Sequence, residues 1–452
     1  MYERKAYKRL LDWKRSSAGE TALLVEGARR VGKTTLVKRF AEREYSASLV
    51  IDFAHTSDDV RETFRLYATD LDRFFQRLQA LSSTRLKKGD SLVVFDEVQR
   101  FPPAREFLKY LVEDGRYHYV ETGSLVSIRR NVEDIVIPSE EEALELDPLD
   151  FEEWLWAMAE RPLADAVREA YESLAPLDDA IHRMAMRLFR EYLLVGGMPQ
   201  VVAAYEPGKD FGDADRAKRR ILKLYGEDIG KYAGNDRSRV EAVFQGIPGQ
   251  LSKHEKKFTF ASIDKNARYR EYAGSLRWLE SSRTVNVCRS ATDPNVGLAL
   301  SADDESFKVY MADTGLLCAH TFADRRRTPD ELYRAVLFDK LGVNEGMLVE
   351  NCVAQQLRAS GRRLFFYSTY STDAKDRMEI DFLAVREYSD AGLKPRVSPI
   401  EVKSSGRYST KSLEKFRAKF GKHIDTELVL HPKNVLVQGN RICLPLYMAH
   451  LV

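Results

Sequence analysis

What this chain lacks narrows it first. Cysteine is scarce: Cys288, Cys318, Cys352 and Cys443 are the only four in 452 residues, and none stands at CxxC spacing. Neither a disulfide framework nor a zinc knuckle is indicated, and a reducing, cytoplasmic setting fits best. The eight histidines are scattered with no HxxxH or HExxH spacing, so zinc hydrolysis finds no ligand set. No apolar run approaches the roughly 18 residues that cross a bilayer. The opening MYERKAYKRLLDWKR has no apolar signal core. An excess of one charge is missing as well: 71 Lys and Arg stand against 69 Asp and Glu. That excludes a uniformly basic coat but leaves room for local basic patches of the kind that bind phosphate backbones. No internal repeat or low-complexity tract interrupts the chain.

What is present suffices for real cores, since 44% of residues are hydrophobic. At about 150 residues per domain the length suggests about three domains. An amphipathic helix is expected over residues 1–20, then short apolar runs of buried-strand length at Thr21–Val25, Ser48–Phe53, Ser91–Phe95 and Tyr117–Glu121. Helical stretches, 34–44 and a long polar one over 58–86, alternate with them. Strands alternating with helices predict a parallel sheet covered on both faces. The acidic Ser139–Glu142 reads as a solvated loop or helix start. After Pro148 the pattern is helical to about 232, broken at Gly196-Gly197-Met198-Pro199 and Pro207-Gly208. Residues 236–320 read as a small helix-rich unit ending in a strand pair. From about 345 a second α/β pattern follows, with strands near 364–367, 379–385, 398–403 and 427–430. The expected junctions lie near 150, 235 and 330.

The sharpest motif is Gly27-Ala-Arg-Arg-Val-Gly32-Lys33-Thr34, followed by Thr35, which fits GxxxxGK[ST] between a strand and a helix. Glycines let successive backbone N–H groups turn inward around a β-phosphate, Lys33 reaches β- and γ-oxygens, and Thr34 offers a hydroxyl to Mg²⁺. The following helix aims its positive end at the anion. Arg29, Arg30 and Val31 complete the loop, and both arginines could face the nucleotide. The second half of the site is Leu92-Val-Val-Phe95-Asp96-Glu97, an apolar strand ending in two carboxylates. Asp96 would join the Mg²⁺ shell and Glu97 would polarise the attacking water, which points to hydrolysis rather than binding alone. The strand ending at Glu121-Thr122-Gly123-Ser124 offers Thr122, with Ser124 behind it, to sense the γ-phosphate or position water.

In the last hundred residues the chemistry rests on carboxylates and a lysine. Asp381 sits in the apolar strand Glu379-Ile-Asp381-Phe-Leu-Ala-Val, and Glu401-Val-Lys403 ends the next. Alternation puts Glu401 and Lys403 on one face, where Asp381 from the neighbouring strand can meet them. Such a group can bind Mg²⁺ through Asp381 and Glu401 and position water for phosphodiester attack. In the middle, Ser252-Lys-His-Glu-Lys-Lys-Phe258 and Lys265-Asn-Ala-Arg268-Tyr-Arg270 interleave basic and aromatic residues, a pattern suited to phosphates and base edges. Leu276, Trp278 and Leu279 read as core.

GARRVGKTTL, VVFDEVQ, the TGS tripeptide, Pro148-Leu-Asp-Phe-Glu-Glu153, Val195-Gly-Gly-Met-Pro199 and Met311-Ala-Asp313-Thr-Gly315 occur here in one order. In this the chain resembles the bacterial and archaeal AAA-type P-loop ATPases that carry a C-terminal domain of unknown function. The resemblance implies a multidomain α/β protein. Its parts would be a P-loop NTPase domain with a parallel sheet (1–150), a helical lid (151–235), a winged-helix-like domain (236–330) and a C-terminal restriction-endonuclease-like domain (331–452). That last domain resembles the PD-(D/E)XK nucleases, with Glu350 as the acid from the first helix before Asp381, Glu401 and Lys403. One departure stands out: Ile135–Glu142 has no Gly-Arg pair where many relatives carry one, so a charge-stabilising arginine would have to come from Arg29, Arg30, Arg100, Arg129 or Arg130.

The resemblance implies ATP and Mg²⁺ as cofactors and leaves three readings open. The first is an ATP-gated enzyme processing DNA or RNA. The second is a STAND-like switch whose last domain is only a binding module, with a protein as one candidate partner. The third is an ATP-dependent regulator that binds DNA without cutting it. AAA relatives form rings and STAND relatives can rest as monomers, so a homo-oligomer stays open too, and no membrane is expected.

Overall fold

The computed structural model describes residues 2–123, 141–253, 256–294, 297–326, 328, 330–337, 345–369, 373, 377–385 and 396–452. It divides into two compact units, Met1–Asp147 with Ser281–Arg283, and Pro148–Glu280 with Thr284–Val452. Both are mixed α/β, and no helix among the described residues is long and apolar enough to cross a membrane.

The first unit opens with α1 (Ala6–Ser16), then β1 (Ala22–Gly27), α2 (Lys33–Glu44), β2 (Ala47–Asp52), α3 (Asp58–Leu66), α4 (Leu71–Ser82) and β3 (Ser91–Asp96). It closes with α5 (Pro102–Asp114), β4 (His118–Gly123) and β5 (Glu141–Leu146). The five strands among the described residues are parallel in the order β2-β3-β4-β1-β5. The central strands β1 and β3 are buried along their whole length, as a sheet covered on both faces requires. Phe53, Phe64, Phe74, Phe95, Phe101 and Phe107 share one core cluster. Phe53 stacks on Phe101 with ring centroids 5.2 Å apart, and Phe64 meets Phe74 edge-on at 5.0 Å.

Two expectations change here. The long helix over 58–86 is two helices, because Asp70 accepts the Arg73 N–H at 3.1 Å and starts α4 anew. Glu141 and Glu142, expected in a loop or helix start, begin β5. Leu144 and Leu146 turn inward from this edge strand, Glu142 is exposed and Glu141 is paired with the buried Arg105 at 2.8 Å, so a polar-looking segment still pairs with β1.

The second unit begins with helices α6 (Phe151–Ala157), α7 (Arg161–Ser173), α8 (Asp179–Val195), α9 (Pro199–Tyr205), α10 (Phe211–Tyr232), α11 (Arg237–Leu251) and α12 (Tyr269–Ser281). Then come β6 (Val285–Ala291), β7 (Ala302–Met311), α13 (Thr314–Thr321), α14 (Asp330–Leu337) and α15 (Glu345–Ala359). It ends with β8 (Phe365–Thr369), β9 (Met378–Val385), β10 (Val397–Val402), α16 (Lys411–Phe420), β11 (Glu427–His431), β12 (Leu436–Gln438) and β13 (Arg441–Pro445). The eight strands among its described residues form one mixed sheet in the order β12-β13-β11-β10-β9-β8-β6-β7. The strand pair expected at the end of the middle segment, β6–β7, is therefore the edge of this sheet, joined to it by the parallel pairing of β6 with β8.

The motifs without assigned chemistry meet in one buried polar joint of this unit. Asp150 and Glu153 form a capping box that starts α6. The Gly197 carbonyl accepts the Leu149 N–H at 2.8 Å, and a Cβ on Gly197 would lie 2.1 Å from the Leu149 carbonyl, so only glycine fits. Asp313 accepts the Gly197 N–H at 2.6 Å and caps α13 through the Leu316 N–H at 2.9 Å. Gln355 and Gln356 of α15 donate to the Tyr192 hydroxyl, which in turn donates to the Leu149 carbonyl at 2.6 Å.

Candidate functional site

The site of the first unit lies at the C-terminal ends of its parallel strands, where a sheet of this type takes its ligand. Strand order places β4 between β1, which leads into the Gly-rich loop, and β3, which ends in Asp96. The loop turns through left-handed positions at Arg30 (φ 72°) and Gly32 (φ 102°), the alternation that folds N–H groups into a nest. A Cβ on Gly27 would lie 2.3 Å from the Leu146 carbonyl, so β5 passes too close for any other residue.

Lys33 is buried at the start of α2 and donates to the carbonyls of Gly27 at 2.9 Å and Ala28 at 3.1 Å. Burial brings its ammonium down to about 8, against the opposing pull of Glu97 and Asp96. A buried cation whose hydrogen bonds go to neutral carbonyls is poised for an anion. The Thr34 hydroxyl donates to Asp96 Oδ1 at 2.8 Å, and the Thr122 hydroxyl donates to the same oxygen. The Glu97 N–H donates to the Thr122 hydroxyl at 3.3 Å, and Gln99 holds the Glu97 carboxylate at 2.6 Å. Glu97 keeps a left-handed backbone (φ 55°), a costly conformation for a non-glycine residue, which turns the chain sharply after β3. Thr34, Asp96, Glu97 and Thr122 thus form one hydrogen-bonded chain, with the Lys33 ammonium under the influence of both acids. A hydroxyl and a carboxylate side by side are the hard oxygen ligands that suit Mg²⁺ with phosphate oxygens and water. Arg29 is half-buried, whereas Arg30, Thr35 and Arg100 are exposed. Ser124, Arg129 and Arg130 lie outside the described residues.

In the second unit the four predicted residues form two pairs on opposite faces of the sheet, Glu401 with Lys403 and Asp381 with Glu350, and the Val402 N–H between the first two donates to Asp381 Oδ2 at 2.8 Å. Lys403 pairs with Glu401 at 2.5 Å, as alternation required. Glu401 stands opposite Val429, and Val429 belongs to the core cluster of Leu413 and Phe416 on α16. Ile380 of β9 faces that same cluster, so Asp381 points to the other face of the sheet. The cause is a β-bulge. Phe365 pairs with Leu383 and Tyr367 with Ile380, so β9 holds one extra residue, and Asp381 and Phe382 share the face away from α16. Pairing of Ile400 with Phe382, continued by one residue, would have set Glu401 opposite Asp381; the bulge separates them.

Asp381 instead joins a cluster that no spacing motif in the sequence marks. Lys308 of β7, fully buried, donates to Glu350 at 3.2 Å, sits 2.6 Å from Glu379 and 4.0 Å from Asp381, and lies over the Phe366 ring. Lys256 and the Tyr310 hydroxyl also donate to Glu350. Burial works against the Lys308 charge, but the three carboxylates outweigh it and hold the ammonium well above the usual lysine range. Burial likewise raises Asp381, helped by Glu350, while Lys308 and Lys256 hold Glu350 low despite its burial. The available signal was a lysine inside the otherwise apolar run Phe307-Lys-Val-Tyr-Met311. Among the described residues no group of three or more His, Cys, Asp or Glu is arranged to hold a metal.

Of the basic, aromatic segments, Lys265, Arg268 and Arg270 are exposed, Phe258, Leu276 and Leu279 are buried, and Trp278 is half-buried. Lys256 is taken up by Glu350 and the Gly346 carbonyl. His254 and Glu255 lie outside the described residues.

Three family models match the chain: an AAA domain over residues 19–155, a domain of unknown function (DUF8612) over 186–327, and another (DUF4143) over 345–448. No curated protein matches it. Among solved structures it is similar to PCH-2 of C. elegans, at 11% identity and TM-score 0.25, covering 49% of this chain and 66% of that one. It is similar to Cdc6p of Pyrobaculum aerophilum at 11% and 0.25, covering 74% and 92%. It is also similar to Drosophila ORC bound to DNA, at 14% and 0.26, covering 71% and 95%. TM-scores of this size do not amount to a shared overall fold.

Proposed function

We propose, from the premise that residues 19–155 are an AAA-type P-loop domain, that this protein binds ATP with Mg²⁺ and hydrolyses it, and that the bound nucleotide governs the second unit. The observation that carries the proposal is the chain Thr34–Asp96–Thr122–Glu97 beside the buried Lys33. Residues of the Gly27–Thr35 loop take the phosphates, and Lys33 exchanges two carbonyl partners for β- and γ-oxygens. Thr34 and Asp96 would hold the Mg²⁺, which would supply charge neutralisation to the bound phosphates. Glu97, fixed by Gln99 and by its own N–H to Thr122, orients and polarises the attacking water. Thr122 carries the position of Asp96 to Glu97, so the metal side and the water side of the site move together.

The test is a pair of variants. Lys33→Ala should lose tight ATP binding, and Glu97→Gln should keep binding and lose turnover. Hydrolysis by Glu97→Gln at the wild-type rate would remove Glu97 from its role.

For the second unit the reading is a nucleic-acid-binding module with a winged-helix-like part (236–330) and a nuclease-like part (331–452), following a helical lid (151–235). Exposed Lys265, Arg268 and Arg270 support DNA contact. Separation of Glu401 and Lys403 from Asp381 and Glu350 favours binding without cleavage, the switch or regulator reading, over a working nuclease. Metal-dependent cutting of DNA or RNA that disappears in Lys403→Ala would reverse that preference.

A further inference from the structure

The N-terminal segment ahead of α1 reaches the phosphate loop through one side chain. Arg4 is buried, at 7% exposure, although arginine is among the residues least often found inside. Its Nη1 donates to the Val31 carbonyl at 3.2 Å and its Nη2 to the Asp147 carbonyl at 2.5 Å. One guanidinium thus spans the loop and the residue that follows β5, the last of the first unit's main segment.

Peptide geometry gives this contact a consequence. A trans peptide is planar, and its C=O and the next N–H point in opposite directions. Arg4 holds the Val31 carbonyl on one side, so the Gly32 N–H of the same peptide is directed to the other. Gly32, at φ 102°, has no side chain to fix its own orientation. Gly27 of the same loop pairs with Leu146, next to the Asp147 carbonyl that Arg4 also holds. Both ends of the loop's outer surface are therefore referred to one rigid, planar fork.

We propose that Arg4 is a positioning residue for phosphate binding: by holding the Val31 carbonyl it presents the Gly32 N–H to the β-phosphate, and by holding Asp147 it ties that presentation to the exit of β5. This rests on the P-loop reading above. It touches no phosphate itself, so it should set affinity for the diphosphate part of the ligand rather than the hydrolytic step.

The probes are inorganic pyrophosphate, ADP and ATP, titrated by calorimetry with Mg²⁺ into the full chain. Arg4→Met, which fills similar space without donors, should weaken pyrophosphate and ADP alike by about tenfold, a loss expected when charged hydrogen bonds that orient a donor are removed. At saturating ATP its kcat should stay within about threefold of wild type, a split between KM and kcat that general destabilisation would not produce. Arg4→Lys keeps the charge but donates from one nitrogen instead of two held apart in a rigid plane, so it should show the same direction with a smaller loss while the protein stays folded. Should Arg4→Met fail to fold, Arg4→Lys decides. Wild-type pyrophosphate and ADP affinity in the folded variant would overturn the proposal. Lys33→Ala, titrated beside it, separates the two ideas. If Lys33→Ala binds pyrophosphate normally, the P-loop reading itself fails; if it loses binding while Arg4 variants keep theirs, only the role of Arg4 fails.

Discussion

Lys33 and Lys308 are both buried, and their surroundings send them in opposite directions. Lys33 hydrogen-bonds to two neutral carbonyls, and burial lowers it to about 8. Lys308 is ringed by Glu350, Glu379 and Asp381 and is held strongly protonated. Burying a charge is costly unless it is matched, and the second lysine is matched from within the fold. The first is left to be matched by something that comes and goes. Both lie beside acids, so proximity to carboxylates does not mark a site by itself. What distinguishes them is whether the charge is already answered by its hydrogen-bond partners.

The comparison is broken most directly by removing each lysine. Lys33→Ala should leave the fold intact and cut ATP turnover by about 10²- to 10³-fold, the usual loss when a preorganised phosphate contact goes. Lys308→Met should do the reverse. It leaves Glu350, Glu379 and Asp381 to repel one another and should destabilise the second unit by about 3–5 kcal/mol, the range for a buried ion pair that loses one partner. Trp154, Trp156 and Trp278 lie in that unit and Trp13 in the first, so tryptophan emission during denaturant unfolding, read in a Trp13→Phe background, reports it. Lys403→Met should cost less, because Lys403 is partly exposed and answers Glu401 alone. Equal stability of the Lys308 and Lys403 variants would mean that the three-carboxylate cluster is not the lock its geometry describes.

A second, smaller contrast concerns Thr122. Its hydroxyl joins Asp96 to the Glu97 N–H, whereas Thr34 contacts Asp96 from the loop side. Thr122→Val keeps the shape and removes the link. Turnover should fall by about 10- to 100-fold with ATP affinity changed much less, since what is lost is the link that aligns Asp96 with Glu97 and the attacking water. A rise in KM with unchanged kcat would place Thr122 with the binding residues instead.

The sequence made one of these two regions readable and misled on the other, for a physical reason. The phosphate loop is contiguous: Gly27 to Thr34 carry their geometry in their own spacing, and Asp96 and Glu97 follow directly from an apolar strand. The acid group of the second unit is assembled from strands far apart in the chain. Alternation correctly put Glu401 and Lys403 together, but it could not show the extra residue in β9 that carries Asp381 to the opposite face. Lys308 comes from a strand pair that looked like part of a separate unit until β6 paired with β8. Edge strand β5 was missed because the acids of Glu-Glu-Ala-Leu-Glu-Leu146 hide its two inward leucines. Arg4 carried no signal at all, since its meaning lies in two backbone carbonyls, Val31 and Asp147, that no side-chain motif records.

The finest separation of the two lysines is by pH. ATP is expected to bind the charged form of Lys33, whose ammonium in the free protein titrates near 8. As pH rises from 8 to 9 the charged fraction falls from about half to about a tenth, so apparent ATP affinity should weaken by about fivefold. The sign follows from the lowered value: an exposed lysine would stay charged across this range and show no such loss. Binding at pH 8.5 must then take up a proton, which calorimetry in buffers of different ionisation heat measures directly. Lys308 should contribute nothing over the same range, because its carboxylates keep the proton in place, and the near-ultraviolet spectrum of the folded protein should stay constant. Arginine cannot lose its charge at these pH values, so Lys33→Arg should abolish the proton uptake even where it weakens binding. Flat affinity from pH 7 to 9 with no proton uptake in the wild type would show that Lys33 is already matched in the free protein, and the distinction between the two lysines would collapse.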